Sequence, residues 1–184
     1  MRLTAFCVGL LLAAPALQAQ DISQHMADIG AGSYLVFDVG ARRFTQVFRG
    51  PSGGLWVVDM IDGADPNGPR LSREIRNAQG QLVQVDYATG LTLEFTPHNC
   101  QRTLGPCLFI QTGPDGPSQQ VRLTVATADG FSYESSIFPS PRSEPVLVGS
   151  GRMTLDALGS PAGGQITAQD GSVQQVMLVQ AVYR

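Results

Sequence analysis

Apolar and polar residues alternate along much of this chain with a period of two. Leu91-Thr92-Leu93-Glu94-Phe95-Thr96 alternates without a break, and so does Val121-Arg122-Leu123-Thr124-Val125. Phe131, Tyr133, Ser135 and Ile137 share one parity. Successive side chains of a strand point to opposite faces, so this period predicts strands with one apolar, buried face. Turn sequences punctuate the runs, among them Pro66-Asn67-Gly68, Ala88-Thr89-Gly90, Pro114-Asp115-Gly116, Ala128-Asp129-Gly130 and Gln169-Asp170-Gly171. Gly takes positive φ without steric cost, and Asn or Asp tolerates it.

Strands are predicted at Tyr34–Val39, Arg43–Arg49, Leu55–Ile61, Leu71–Arg76, Leu82–Tyr87, Leu91–Thr96, Cys107–Thr112, Gln120–Ala126, Phe131–Phe138, Arg152–Leu155, Gly164–Ala168 and Val173–Tyr183. Turns recurring every roughly 8–12 residues point to an all-β protein. The expected architecture is an antiparallel up-and-down meander of about ten to twelve short strands, barrel-like, with a two-sheet sandwich as the alternative. Closure is favoured because it removes exposed strand edges. Three prolines in Pro139-Ser140-Pro141-Arg142-Ser143-Glu144-Pro145 predict an irregular connection there. Ile22, Met26 and Ile29 lie at i, i+4 and i+7, which predicts a short helix over 21–31.

The first residues follow a different pattern. Arg2 precedes the apolar stretch 5–14, and small residues lead to Gln18-Ala19-Gln20-Asp21. A charged start, a short apolar core and small residues before a polar run make a secretory signal peptide. Cleavage is expected after Ala19, giving a signal over 1–19 and a single all-β domain over 20–184. The apolar run is shorter than the about 20 residues a membrane-spanning helix requires, and no later segment could span as a helix. An outer-membrane barrel needs strands of about 9–11 residues and aromatic girdles. Most predicted strands are shorter and aromatics are 7 % of the chain, which argues against that form.

Composition sharpens the picture. The chain has twelve Arg and no Lys. Without residues 1–19, eleven Arg face fifteen acids, a net charge of −4. This balance argues against a nucleic-acid partner, which requires clustered basic charge. The Arg-rich, Lys-free usage suits a GC-rich bacterial genome and a periplasmic or secreted protein. Cys100 and Cys107 remain after export, and an oxidising compartment favours their disulfide.

Candidate chemistry is sparse. Gly50-Pro51-Ser52-Gly53-Gly54 matches the G-x-S-x-G of hydrolase nucleophiles, but that motif needs a strand-to-helix turn and Leu55-Trp56-Val57-Val58 reads as a strand. Asp65, Asn67, Gly68 and Glu74 fall at positions 3, 5, 6 and 12 of a calcium loop, yet position 1 is Gly63. Asp62, Asp65 and Asn67, with Asp59, are the weak metal candidates, and a solvated acidic turn is the simpler reading. His98 with Cys100 and Cys107 could ligate zinc or copper, but spacing and compartment favour the disulfide. His25 reads as a surface residue. The arginines at 42, 43, 49, 70, 73 and 76 read as strand-face charges paired with acids. No catalytic residue and no cofactor is assigned.

The functional expectation is an exported, non-catalytic binding or interaction module of the cell envelope. Its partner would be a small apolar ligand or an envelope protein. Trp56, Leu93, Phe95 and Val125 are expected to line an interior pocket. A small hydrolytic or metal-dependent enzyme using Ser52 or the Asp62–Asp65 region is the alternative.

Overall fold

A computed structural model describes residues 28–101, 103–140, 142–156 and 159–184. The expected signal peptide, its cleavage point, His25 and most of the expected helix lie outside the described residues. The chain forms twelve strands: β1 (Tyr34–Val39), β2 (Arg42–Ser52), β3 (Leu55–Asp62), β4 (Arg70–Arg76), β5 (Leu82–Tyr87), β6 (Thr92–His98), β7 (Gly105–Gly113), β8 (Gly116–Thr127), β9 (Gly130–Phe138), β10 (Val146–Leu155), β11 (Pro161–Ala168) and β12 (Val173–Val182). Each pairs antiparallel with its chain neighbours, and β1 pairs with β12, so the sheet is a closed barrel. The barrel, and not the sandwich, is the form adopted.

Every predicted strand is present, but several are longer than the alternation implied. β8 begins at Gly116 and not at Gln120, because Gly113 pairs with Gly116 across a tight hairpin and carries the ladder outward. β10 begins at Val146 and not at Arg152. Val148-Gly149-Ser150-Gly151 shows no apolar alternation, yet its backbone pairs with β9 and β11. A ladder needs only N–H and C=O groups, so glycine-rich strands escape a reading based on side chains. The β2–β3 hairpin turns on Gly53 and Gly54, both at positive φ (59° and 81°), with Ser52 opposite Leu55. That is the two-residue geometry that matches strand twist.

Register and alternating burial identify the two faces. Phe37, Phe48, Val58, Val85, Phe95, Phe109, Tyr133 and Val176 share the inner parity. Leu108, Ile110, Leu123 and Val125 share the outer parity and are exposed. Packing is densest at β1–β3, where both faces are covered. On the inner side Phe48 stacks on Trp56 with ring centres 5.7 Å apart, and Ile29 packs beside them. On the outer side Val36, Thr45, Val47, Asp59 and Ile61 are almost fully buried. There the connection over 63–69 folds back: Thr45 Oγ1 donates to the Gly63 carbonyl (2.7 Å) and Arg49 Nη2 to that of Pro66 (3.1 Å).

The β6–β7 seam is built differently. Only Glu94 with Thr112 and Phe95 with Gln111 pair across it. Pro97 and Pro106 lie in its unpaired half, where they can donate nothing to a ladder. Other links reinforce it, the Phe95 and Phe109 rings at 6.1 Å among them. The Cys100–Cys107 disulfide is formed, the Ile110 amide donates to Thr96 Oγ1 (2.9 Å), and the His98 and Phe109 rings stack at 4.0 Å.

Candidate functional site

The sequence candidates are spread around the barrel. Ser52 sits exposed at the end of β2, and no hydrogen bond joins it to a histidine or carboxylate among the described residues. Asp65 shapes its own turn, accepting from the Asn67 amide (2.9 Å). Asp62 pairs with Arg42 (3.3 Å) and Glu74 with Arg76 (2.7 Å). Asp59 is clamped on the outer face by Arg73 (2.7 Å) and Arg49 (3.0 Å). Burial pushes its pKa up, but the hydrogen bonds from Arg73 and Arg49 and their charges outweigh this and hold it below the usual range. Among the described residues no group of three or more His, Cys, Asp or Glu is arranged to hold a metal ion.

Trp56, Leu93 and Phe95 carry the inner parity, as an interior site requires. Val125 differs: it is 53 % exposed on the outer face. Its expected inward direction rested on the apolar side of β8 facing in, and here the polar side does. Ser118, Gln120, Arg122 and Thr124 point inward, while Val121, Leu123 and Val125 point outward.

That inversion assembles a polar inner site that the sequence reading passed over. Arg122 lies beside Cys107 on one flank and Ser135 on the other. Its guanidinium rests 3.6 Å from the centre of the Tyr133 ring. The ring has room because Gly151 faces it on β10: a Cβ there would lie 2.8 Å from Tyr133 Cε1. No carboxylate pairs with Arg122 among the described residues, and its Nε is buried without a partner. Burial lowers its pKa, opposed by the attraction of Tyr133.

His98 lies further round the same inner face, stacked on Phe109 and edge-on to Phe95. Its Nδ1 accepts the Cys100 amide (3.2 Å), which places the proton of the neutral ring on Nε2. Burial first, then Arg76 and Arg122, push its pKa down to about 4. The ring is therefore neutral at pH 7, and its Nε2–H donor is buried without an acceptor. Thr124, 2 % exposed, has a hydroxyl in the same condition. A cavity of about 350 Å³ opens beside Arg122 and Tyr133, with Ser135, Val148, Ile166 and Gln174 in its wall.

One clue to these residues was available in the sequence. Arg122 alternates with Leu123 and Val125 on a strand whose polar parity is Ser118, Gln120 and Thr124. Such alternation permits either face to be inward, and only barrel closure decides. In class the molecule is a closed antiparallel β-barrel with a polar inner site beside apolar surface. No protein-family model matches the sequence, and no curated protein or solved structure matches it either.

Proposed function

We propose that the protein is an exported, non-catalytic binding module that holds a small ligand inside its barrel. One observation carries this reading: the interior is not packed solid. Beside Arg122 lies a cavity of about 350 Å³, with Tyr133, Val148 and Ile166 in its wall among polar residues such as Ser135 and Gln174, within the about 300–1,000 Å³ range of small-molecule sites. The charged start, apolar stretch and small residues over 1–19 support a periplasmic or secreted address, with cleavage after Ala19. The Cys100–Cys107 disulfide is compatible with that oxidising setting.

The same reading takes the barrel to be surrounded by water. No helix among the described residues is long and apolar enough to cross a membrane, which leaves strands to be considered. Six strands reach 9 to 12 residues, so length does not argue against a spanning barrel. Outer-face chemistry does. Asp86, Glu94, Glu134 and Arg152 carry the outer parity on β5, β6, β9 and β10, and charge on a lipid face costs about 2–4 kcal/mol per basic group at mid-bilayer.

The test is direct. The full chain is expressed with its own leader, and the exported form is examined by native mass spectrometry and by titration with 1-anilinonaphthalene-8-sulfonate. The reading expects a chain beginning at Gln20, a non-covalent adduct lost on denaturation, and saturable one-to-one dye binding by the folded protein. A bare polypeptide mass together with no saturable dye binding overturns it.

A further inference from the structure

The inner site holds an imbalance of donors. Arg122 brings a permanent cation with an unpartnered Nε–H, and His98 brings an unpartnered Nε2–H whose tautomer is fixed by the Cys100 amide. Both donors are buried, and a buried donor without an acceptor costs about 1–3 kcal/mol. Each such group in a native fold calls for an account. Among the described residues the carboxylates of inner parity have other partners: Glu74 pairs with Arg76 (2.7 Å), which also reaches Gln101, and Asp62 pairs with Arg42 (3.3 Å). Of the two donor residues, Arg122 lines the cavity, and what would satisfy a guanidinium there is an acceptor-only group with negative charge. Apolar surface adjoins it in the cavity wall: Tyr133, Val148 and Ile166.

We propose that this site binds the carboxylate of a small amphiphilic molecule, with Arg122 in the cavity wall as the charged anchor. The proposal rests on the interior-binding reading above and adds the chemical class of the ligand. Tyr133, held flat by the absence of a side chain at Gly151, keeps the guanidinium aimed into the cavity. The tail of the ligand lies along the aromatic and aliphatic residues, and no bond is made or broken.

Isothermal titration calorimetry with octanoate and 1-octanol at pH 7 tests this, because the two probes share a tail and differ in the head. The folded wild type is expected to bind octanoate at least about tenfold more tightly than 1-octanol, the scale of a charge-assisted hydrogen-bonded pair. Arg122→Gln should bring octanoate down to the affinity of 1-octanol and leave 1-octanol unchanged. Arg122→Lys should keep part of the preference, since charge survives and the flat fork does not. Thermal melting without ligand confirms that each variant is folded. If Arg122→Gln does not fold, the comparison of the two probes on wild type decides alone. Equal affinity of wild type for both probes overturns the anion site and leaves the interior-binding reading standing. Binding of neither probe overturns the anion site, and the dye titration and native mass then decide the interior-binding reading.

Discussion

His98 shows how one side chain can report on the barrel wall. In the folded protein its pKa is pushed down to about 4, chiefly by burial. In the unfolded chain it returns to about 6.5. Between those values the unfolded state binds more protons, so stability is full above about pH 6.5 and falls as pH drops toward 4. The loss approaches roughly 3 kcal/mol. Thermal melting of the ligand-free protein between pH 7 and pH 4 should show it, and His98→Gln should flatten that limb of the profile. An unchanged slope in the variant would assign acid sensitivity to other groups. Arg122 and Val125 mark where legibility ended at this scale. Their alternation was plain, and its period was right. Which parity faced inward was not written in five residues, because a barrel large enough to hold a cavity does not require its inner face to be the apolar one. Gly151 was equally silent, since its role is the space it leaves for Tyr133. Gly151→Val should tilt that ring and weaken octanoate binding by about the same factor as Arg122→Gln if platform and anchor act as one unit.

Elements differ in how they are fastened. Most neighbours share long ladders, whereas β6 and β7 share two residue pairs and rely on the disulfide, a threonine hydroxyl and stacked rings. Replacing Cys100 and Cys107 together by serine should lower unfolding free energy by roughly 2.5 kcal/mol on the chain-entropy account. Amide hydrogen exchange should then rise first in Cys107–Ile110, and a uniform rise through all strands would contradict a local seam. At β3, Asp59→Asn should be costly for another reason. It removes the negative charge and turns one of two acceptor oxygens into an NH2 donor facing Arg49 and Arg73, where the carboxylate is 3 % exposed against 37 % and 36 % for its partners. Because the arginines keep some solvent, about 2 kcal/mol is expected in urea unfolding, less than for a fully buried pair. Since the folded pKa of Asp59 is lowered, the contribution is present above the ordinary aspartate range and lost as pH falls through the folded value. The strands themselves were readable from periodicity and turn residues. Their glycine-rich extensions were not, and the β6–β7 seam was foreshadowed only by its prolines and cysteines.

For the whole molecule, the sequence supported a meander and a preference for closure, and β1 meeting β12 realises it. The charges on the outer face give a further prediction. Mixed with vesicles of phosphatidylcholine and phosphatidylglycerol and floated on a density gradient, a chain covering residues 20–184 should stay at the bottom; co-flotation would mean that the outer apolar residues of β7 and β8 outweigh those charges. The way the ring closes also has a temporal side. All ladders but one join strands that follow each other along the chain, so hairpins can form as soon as their two halves exist. The last ladder joins Tyr34 to Val182 and cannot form until nearly the whole polypeptide is present. A chain emerging from the ribosome is therefore a growing open sheet with two bare edges, marginal by itself. On the proposed export, such a chain would stay pliable enough to be threaded through a membrane pore before the cylinder locks. Closure is then expected to be the final event of folding, because its ladder joins the two ends of the described chain.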